Sequence, residues 1–432
     1  MKKVKLAWFS TTPRAAWKRL RPAPGGRADA EIELTGRELQ TWDGFGGCFN
    51  ELGWRAIEAL PKAERERVLD ELFHPAGACR FNLCRLPIGA SDYAESWYSC
   101  NETPGDYAMK RFSLARDRAC LLRYVKSALS RRRDMTLFAS PWSPPTWMKF
   151  PAACNYGRLV KTKRNLDAYA LYLAKFVKAC AAEGVRIDRI FPQNEPDSDQ
   201  KFPSCLWSGE ELRDFIRDYL GPRFAREKLA TEIWLGTIER PDYDAWVNVV
   251  LSDAKARRFV KGVAFQWAGK GAVQRTHQAW PNLKILMSEN ECGDGRNTWA
   301  YAHYVFSQVH HYVSNGASGY VYWNMALAPG GGSTWGWEQN AMLTADAKRG
   351  RATPNPEFHV MKHLARFVSP GARVMELAGR WSADALAWRN ADGTAVLVAH
   401  NPFPEPRRVA LRTGGMRASA DLPPASFNTF LF

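Results

Sequence analysis

The 432-residue sequence contains no run of ~20 uncharged apolar residues, so no membrane-spanning helix is expected. Its opening, MKKVKLAWFSTTPRAAWKRLRP, starts basic but carries too short an apolar stretch for a secretion signal. The expected location is therefore the cytoplasm, or outside the cell by way of an export signal that this sequence does not include. There is no Cys-x-x-Cys pair and no group of histidines at metal-ligand spacing, so no metal site is expected. The nine cysteines are odd in number and scattered. CRFNLC sets Cys79 and Cys84 across an expected strand as buried thiols, which favours a reducing compartment over a disulfide framework. Internal repeats, low-complexity linkers and the usual nucleic-acid modules are missing as well. Acidic residues are in deficit: 60 Lys and Arg against 44 Asp and Glu give a net charge of +16. The basic residues are spread through helix-like stretches such as ALSRRRD and LVKTKRN, which makes a solvated basic surface the expected reading and nucleic acid an unexpected partner.

The composition is that of a globular protein, 46% hydrophobic and 24% charged, long enough for one large domain with a smaller one. Eight short apolar runs recur: GFGGCFN (44–50), CRFNLCRLPI (79–88), MTLFASP (135–141), IDRIFPQNE (187–195), EIWLGT (232–237), KGVAFQW (261–267), LKILMSE (283–289) and SGYVYWN (318–324). Amphipathic helical stretches, LDAYALYLAKFVKACAAEG and GEELRDFIRDYLGPRF among them, lie between these runs. Strands alternating with helices imply a parallel sheet, and eight units over about 320 residues fit a (β/α)8 TIM barrel. No Gly-x-Gly-x-x-Gly turn follows the first run, which argues against a dinucleotide fold. The ends differ. EIELTG near the start, and ARVMELAG, DALAWRN, TAVLVAHN, RRVALRT and SFNTFLF after residue 372, read as short strands of a β-sandwich. The expected organisation is a side domain of both termini (1–40 and 369–432) around a barrel over 41–368.

In such a barrel, functional side chains gather where strands end. Strand two ends at Arg85 and leads to Asp92, and strand three leads into SPWSPPTW with Trp142. Strand four ends at Asn194 and Glu195, six at Gln266 and Trp267, seven at Glu289, and eight at Trp323 and Asn324. Two carboxylates ringed by indoles, amides and an arginine describe a sugar site, because indole faces stack on pyranose rings while amides and acids bind hydroxyls. Glycoside hydrolysis needs such a pair, one carboxyl to protonate the leaving oxygen and one to attack the anomeric carbon or activate water. A single Asn-Glu-Pro means little, and Glu291 and Asp294 in SENECGD are rivals of Glu289. The joint placement at strand ends carries the reading.

From about residue 40 onward the chain resembles glycoside hydrolase family 30, which includes lysosomal glucosylceramidase and microbial β-1,6-glucanases. The likeness runs through WDGFGGCFNE, FNLCRLPIGASDYA, FSLARD, LFASPWSPPTWMK, QNEPDS, LRDFIRDYLGP, ILMSENECGDG, YVYWNMALAPGG and PEFHVMKHLARFVSPGA. The resemblance implies a retaining enzyme without a cofactor, with Glu195 as acid/base and Glu289 as nucleophile. It also implies that Arg85, Asp92, Trp142, Asn194 and Trp323 line the subsite of the cleaved sugar. One departure stands out: many members carry His-Trp-Tyr after strand six, where this chain has Gln266, Trp267 and Ala268. Glutamine cannot titrate near neutrality, and losing the tyrosine ring opens space beside the nucleophile. STWGWEQN (333–340) is closer to glucan-active or exo-acting members than to the lysosomal enzyme. The expected activity is hydrolysis of a β-glucoside, β-1,6-glucan or β-fucoside. The alternatives are a uronate- or xylan-active member and a carbohydrate-binding protein without catalysis.

Overall fold

The computed structural model describes residues 6–22 and 28–432; the basic stretch 1–5, on which part of the signal reading rests, lies outside them. Eight parallel strands close into a barrel in chain order: β1 (Gly44–Cys48), β2 (Leu83–Ile88), β3 (Thr136–Pro141), β4 (Arg189–Ile190), β5 (Glu232–Ile238), β6 (Val260–Gln266), β7 (Lys284–Glu289) and β8 (Ala317–Asn324). Both faces of these strands are buried. On β7, Leu286 joins Leu83, Phe138 and Val321 in one apolar cluster, whereas Ile285 and Met287 pack into the layer beneath the helices. Two buried faces explain why the runs read as continuous apolar segments rather than alternating ones. Gly46 permits β1 to lie close against β2, since a Cβ there would stand 1.5 Å from the Leu83 carbonyl oxygen.

The helical stretches form as expected. Lys163–Ala182 begins at Thr162, whose side chain accepts from the Asn165 backbone N–H. Ser208 and Glu211 close a capping box on Gly209–Phe215, and the chain continues through a π-helical turn, Ile216–Leu220, to Arg226. The fourth strand differs from expectation: of the run 187–195, only Arg189 and Ile190 form regular strand. Pro192 has no N–H to give to a ladder, and Glu195 sits at φ 47°, outside β space. The segment is still tied to its neighbours, with Phe191 N–H on Ala139 O, Asn194 N–H on Pro141 O and Glu195 N–H on Thr237 O.

The two ends of the chain make one nine-stranded sheet. Its order is 15–20, 7–12, 426–431, 395–401, 385–389, 373–378, 30–41, 407–413 and 416–422. Trp8, Ile32, Leu397, Val409, Leu411 and Phe430, drawn from both halves of this order, share one core, so the sheet curls over itself like a sandwich. Three of its strands, Ala7–Thr12, Ala15–Leu20 and Met416–Leu422, were not anticipated from the sequence. The helix Pro356–Ala365 joins this sheet to the barrel through His363, whose ring nitrogens meet Thr11 Oγ1 and Thr429 Oγ1, each at 2.8 Å. All nine cysteines are free thiols, and all but Cys154 are buried. No helix among the described residues is long and apolar enough to cross a membrane.

Glu357, in the first turn of that helix, is wholly buried; one oxygen accepts from Asn340 Nδ2 at 2.7 Å and the other has no partner. Burial pushes its carboxyl up to about 7. The folded state therefore holds this proton more tightly than the unfolded chain does. The resulting stabilisation is complete below the unfolded value and is lost as pH rises through about 7. Glu357→Gln removes that dependence. The variant's stability relative to wild type is expected to rise by roughly 2.5 kcal/mol between pH 5 and 8, at 1.36 kcal/mol per pKa unit. Urea titrations at the two pH values check this, and a constant difference would refute it.

Candidate active site

A cavity of about 550 Å³ opens at the C-terminal ends of the barrel strands. Five of the ten strand-end residues singled out from the sequence line it, Asp92, Trp142, Glu195, Trp267 and Glu289, while Asn324 is buried and bonded to Asn50 and Gln339. The other four, Arg85, Asn194, Gln266 and Trp323, stand behind this wall, none more than 3% exposed. Strand parity explains the deeper layer. Arg85 shares the inward face of β2 with Leu83, Gln266 that of β6 with Ala264, and Trp323 that of β8 with Val321. A register irregularity between β6 and β7 then sets Gln266 directly beside Glu289.

Arg85 is the hub of the buried layer. Its Nη1 donates to Glu289 Oε2 at 2.5 Å, and its Nη2 donates to Asn194 Oδ1 at 2.6 Å and Ser140 Oγ at 2.7 Å. The guanidinium lies over the Trp142 ring, 4.5 Å from the centroid, with Trp323 at 5.9 Å. Such contacts hold a planar cation in place without water. Asn194 Oδ1 also accepts from Thr237 Oγ1 and Gln266 Nε2, so only its amide NH2 remains for a ligand.

Gln266 bridges the two carboxyls. Its Nε2 donates to Glu195 Oε1 at 2.9 Å and Glu289 Oε2 at 3.3 Å, and its Oε1 accepts from Ser288 Oγ and Arg85 Nη1. Two contacts of that length to one nitrogen hold one oxygen of each carboxyl within about 6 Å of the other, in the neighbourhood of the ~5–5.5 Å spacing of a retaining pair.

The cavity concentrates acid groups. Burial raises the pKa of Glu195 and carries that of Glu289 further up, with the charges of Glu195 and Asp92 adding to burial and Arg85 opposing both. Asp92 is raised to about 7 by burial and by the neighbouring Glu195 charge, and its Oδ1 has no hydrogen-bond partner in the protein. The rivals of Glu289 turn elsewhere. Glu291 pairs with Lys270 and with the Tyr304 hydroxyl at 2.9 Å, and Asp294 is exposed beside Arg296.

Several lining residues escaped the sequence reading. Glu239 and Arg240 directly follow β5 and were signalled only by their place at a strand end. Trp335 and Trp337, on the loop after β8, continue an aromatic wall from Phe202 to Trp267. Ala268 contributes only a methyl to this wall.

The comparisons agree with this geometry. The glycosyl hydrolase family 30 TIM-barrel domain profile matches residues 42–368. Mouse lysosomal acid glucosylceramidase is 28% identical over 394 residues, covering 84% of this chain and 76% of that protein. The endo-1,6-β-D-glucanase of Neurospora crassa is 28% identical over 410 residues, covering 88% and 83%. Among solved structures, SrfJ from Salmonella typhimurium superposes with a TM-score of 0.91 at 27% identity, covering 99% of each chain. The endo-β1,6-glucanase BT3312 superposes at 0.89 and 25% identity, covering 99% of this chain and 98% of its own. With a matching profile across the barrel and two acids facing one cavity, this chain is a member of glycosyl hydrolase family 30, an O-glycosyl hydrolase that acts on glycosides.

Proposed function

We propose that this protein is a retaining β-glycosidase for gluco-configured sugars, with Glu289 as nucleophile and Glu195 as acid/base. The observation that carries the reading is the shared Gln266 amide, which contacts one oxygen of each carboxyl and so favours the closer spacing of a retaining pair, about 5–5.5 Å. The named activities of the relatives, glucosylceramidase and endo-1,6-β-glucanase, support the gluco configuration.

The contacts divide the labour. A buried guanidinium keeps its charge, and Arg85 touches no carboxylate other than Glu289. The pair is therefore ionised together, and Glu289 presents an anionic oxygen. Burial raises the Glu195 carboxyl, and we assign it the site's proton; burial raises Glu289 further still, and the Arg85 contact is what keeps Glu289 ionised in this reading. In the first step Glu195 gives this proton to the glycosidic oxygen as Glu289 attacks the anomeric carbon; the C–O bond to the leaving group breaks and a glycosyl ester forms. In the second step Glu195, now ionised, takes a proton from water, whose oxygen displaces Glu289. Negative charge leaves Glu289 and appears on Glu195, and the Gln266 amide contacts both, so it follows the charge without moving.

Product stereochemistry is the test. Proton NMR of a hydrolysed aryl β-glucoside, read before mutarotation, is expected to show the β-hemiacetal first. Initial α-product would overturn the two-step mechanism. A panel of aryl β-glycosides with β-1,6-glucan identifies the sugar. Lys201 and Arg240 at the cavity rim favour the uronate-active alternative, and preferred turnover of a glucuronide in the same panel would select it.

A further inference from the structure

Besides Glu195 and Glu289, the cavity holds two further buried carboxyls, Asp92 on the Glu289 side and Glu239 on the Glu195 side. Glu239 is 4% exposed and lines the cavity with Glu195 and Glu289. Its Oε1 accepts from the Asp197 backbone N–H at 3.0 Å and from Ser198 Oγ at 2.9 Å. Asp197 and Ser198 belong to the turn that starts at Glu195, closed by Ser198 N–H on the Glu195 carbonyl at 3.1 Å. Glu195 enters this turn in the left-handed region, a strained conformation for a non-glycine residue that persists only when its surroundings enforce it. Glu239 is part of that enforcement.

Its other oxygen is different. Oε2 is buried and has no hydrogen-bond partner, an unfavourable condition unless a ligand or water relieves it. Around the barrel, Glu289 on β7 is flanked by Asp92 after β2 and Trp142 after β3, which line the cavity, with Arg85 and Trp323 behind them and the Gln266 amide of β6 between Glu289 and Glu195. On the glycosidase reading, Asp92 and Trp142 face the sugar that becomes attached to Glu289. Glu195 protonates the oxygen on the far side of that sugar, and beyond it lie Glu239 and Arg240 after β5, Trp267 after β6 and the 200–202 segment after β4. The departing group must occupy this sector. Trp267, Trp335 and Trp337 offer it flat apolar faces, and Glu239 Oε2 offers a polar atom with nothing else to bind.

We propose that Glu239 is a specificity-determining residue: Oε1 positions the Glu195 turn, while Oε2 binds a hydroxyl of the leaving-group sugar. The assignment selects substrates whose leaving group is itself a sugar over those with an aryl or alkyl group. It rests on the glycosidase reading of the site.

The experiment compares kcat/KM for two substrates that share a glucosyl unit and differ in leaving group, 2,4-dinitrophenyl β-D-glucoside and the β-1,6-linked trisaccharide gentiotriose. Glu239→Gln keeps an oxygen for the turn, whereas Glu239→Ala removes both functions. For Glu239→Gln, kcat/KM on gentiotriose is expected to fall 10-fold or more, chiefly through KM, with less than a threefold change on the dinitrophenyl glucoside. Glu239→Ala should lose at least as much on gentiotriose and a further, smaller factor on both substrates. Equal losses on both substrates in a folded Glu239→Gln protein would reduce Glu239 to a support of the turn and overturn the hydroxyl contact. No loss on either would overturn both roles. A wild-type enzyme that cleaves neither substrate would sink the reading of the site itself, and this inference with it.

Discussion

Glu289→Ala is expected to lower kcat about 10⁵-fold or more on every substrate, whatever the leaving group, because no other oxygen is placed to form the glycosyl ester. The geometry makes the loss general. Glu289 Oε2 is aimed by Arg85 at 2.5 Å and by the Gln266 amide, whereas Glu291, two residues on, is drawn off by Lys270 and Tyr304. A 2-fluoro glucoside with an activated leaving group should accumulate on the wild-type enzyme, and peptide mapping should find it on Glu289. Added azide should restore turnover to the alanine variant through direct displacement, giving an α-glycosyl azide. Label on Glu291 or Asp294 would move the nucleophile there.

Glu195→Ala should behave differently, and the contrast separates the roles. With a sugar or alkyl leaving group, which needs its oxygen protonated, kcat/KM is expected to fall about 10²–10⁴-fold, the range of general acid catalysis. With 2,4-dinitrophenolate, stable as an anion, bond breaking should lose far less, and azide should replace the missing base in the second step to give the β-glycosyl azide. The pH profile supplies a second readout. Burial raises the Glu195 pKa, so the proton needed for catalysis persists to higher pH than on an ordinary glutamate. The wild type should lose kcat/KM as pH rises through that value, and the variant should lack this limb on the dinitrophenyl substrate. Equal losses on all substrates, with azide inert, would refute the assignment.

Local pattern carried most of the architecture. β-Branched and aromatic runs bounded by Gly and Pro marked all eight barrel strands, and three-and-four spacing marked the helices between them, because these signals depend on a residue and its near neighbours. The failures have equally physical causes. β4 collapsed to two regular residues because Pro192 and the left-handed Glu195 interrupt a ladder that its apolar character alone would allow. The strands Ala7–Thr12 and Ala15–Leu20 are interrupted apolar patterns that gain stability only by pairing with each other and, through the first, with Ser426–Leu431 at the opposite end of the chain.

The sequence by itself determined the barrel, its side domain of two termini, and the two carboxyls at strand ends, since strand parity and position are set along the chain. Tertiary structure alone decided which side chains meet the cavity. Arg85 and Gln266 read as substrate ligands, yet they lie beneath the carboxyls, because closing eight strands turns their face into the barrel interior, where the charge on Arg85 requires Glu289. It also decided that Gln266 touches both Glu195 and Glu289, through a register irregularity with no local signature. Glu239 shows the same limit: its two oxygens differ, one bound to a turn 41 residues earlier and one buried without a partner, and contacts of that separation are fixed by packing.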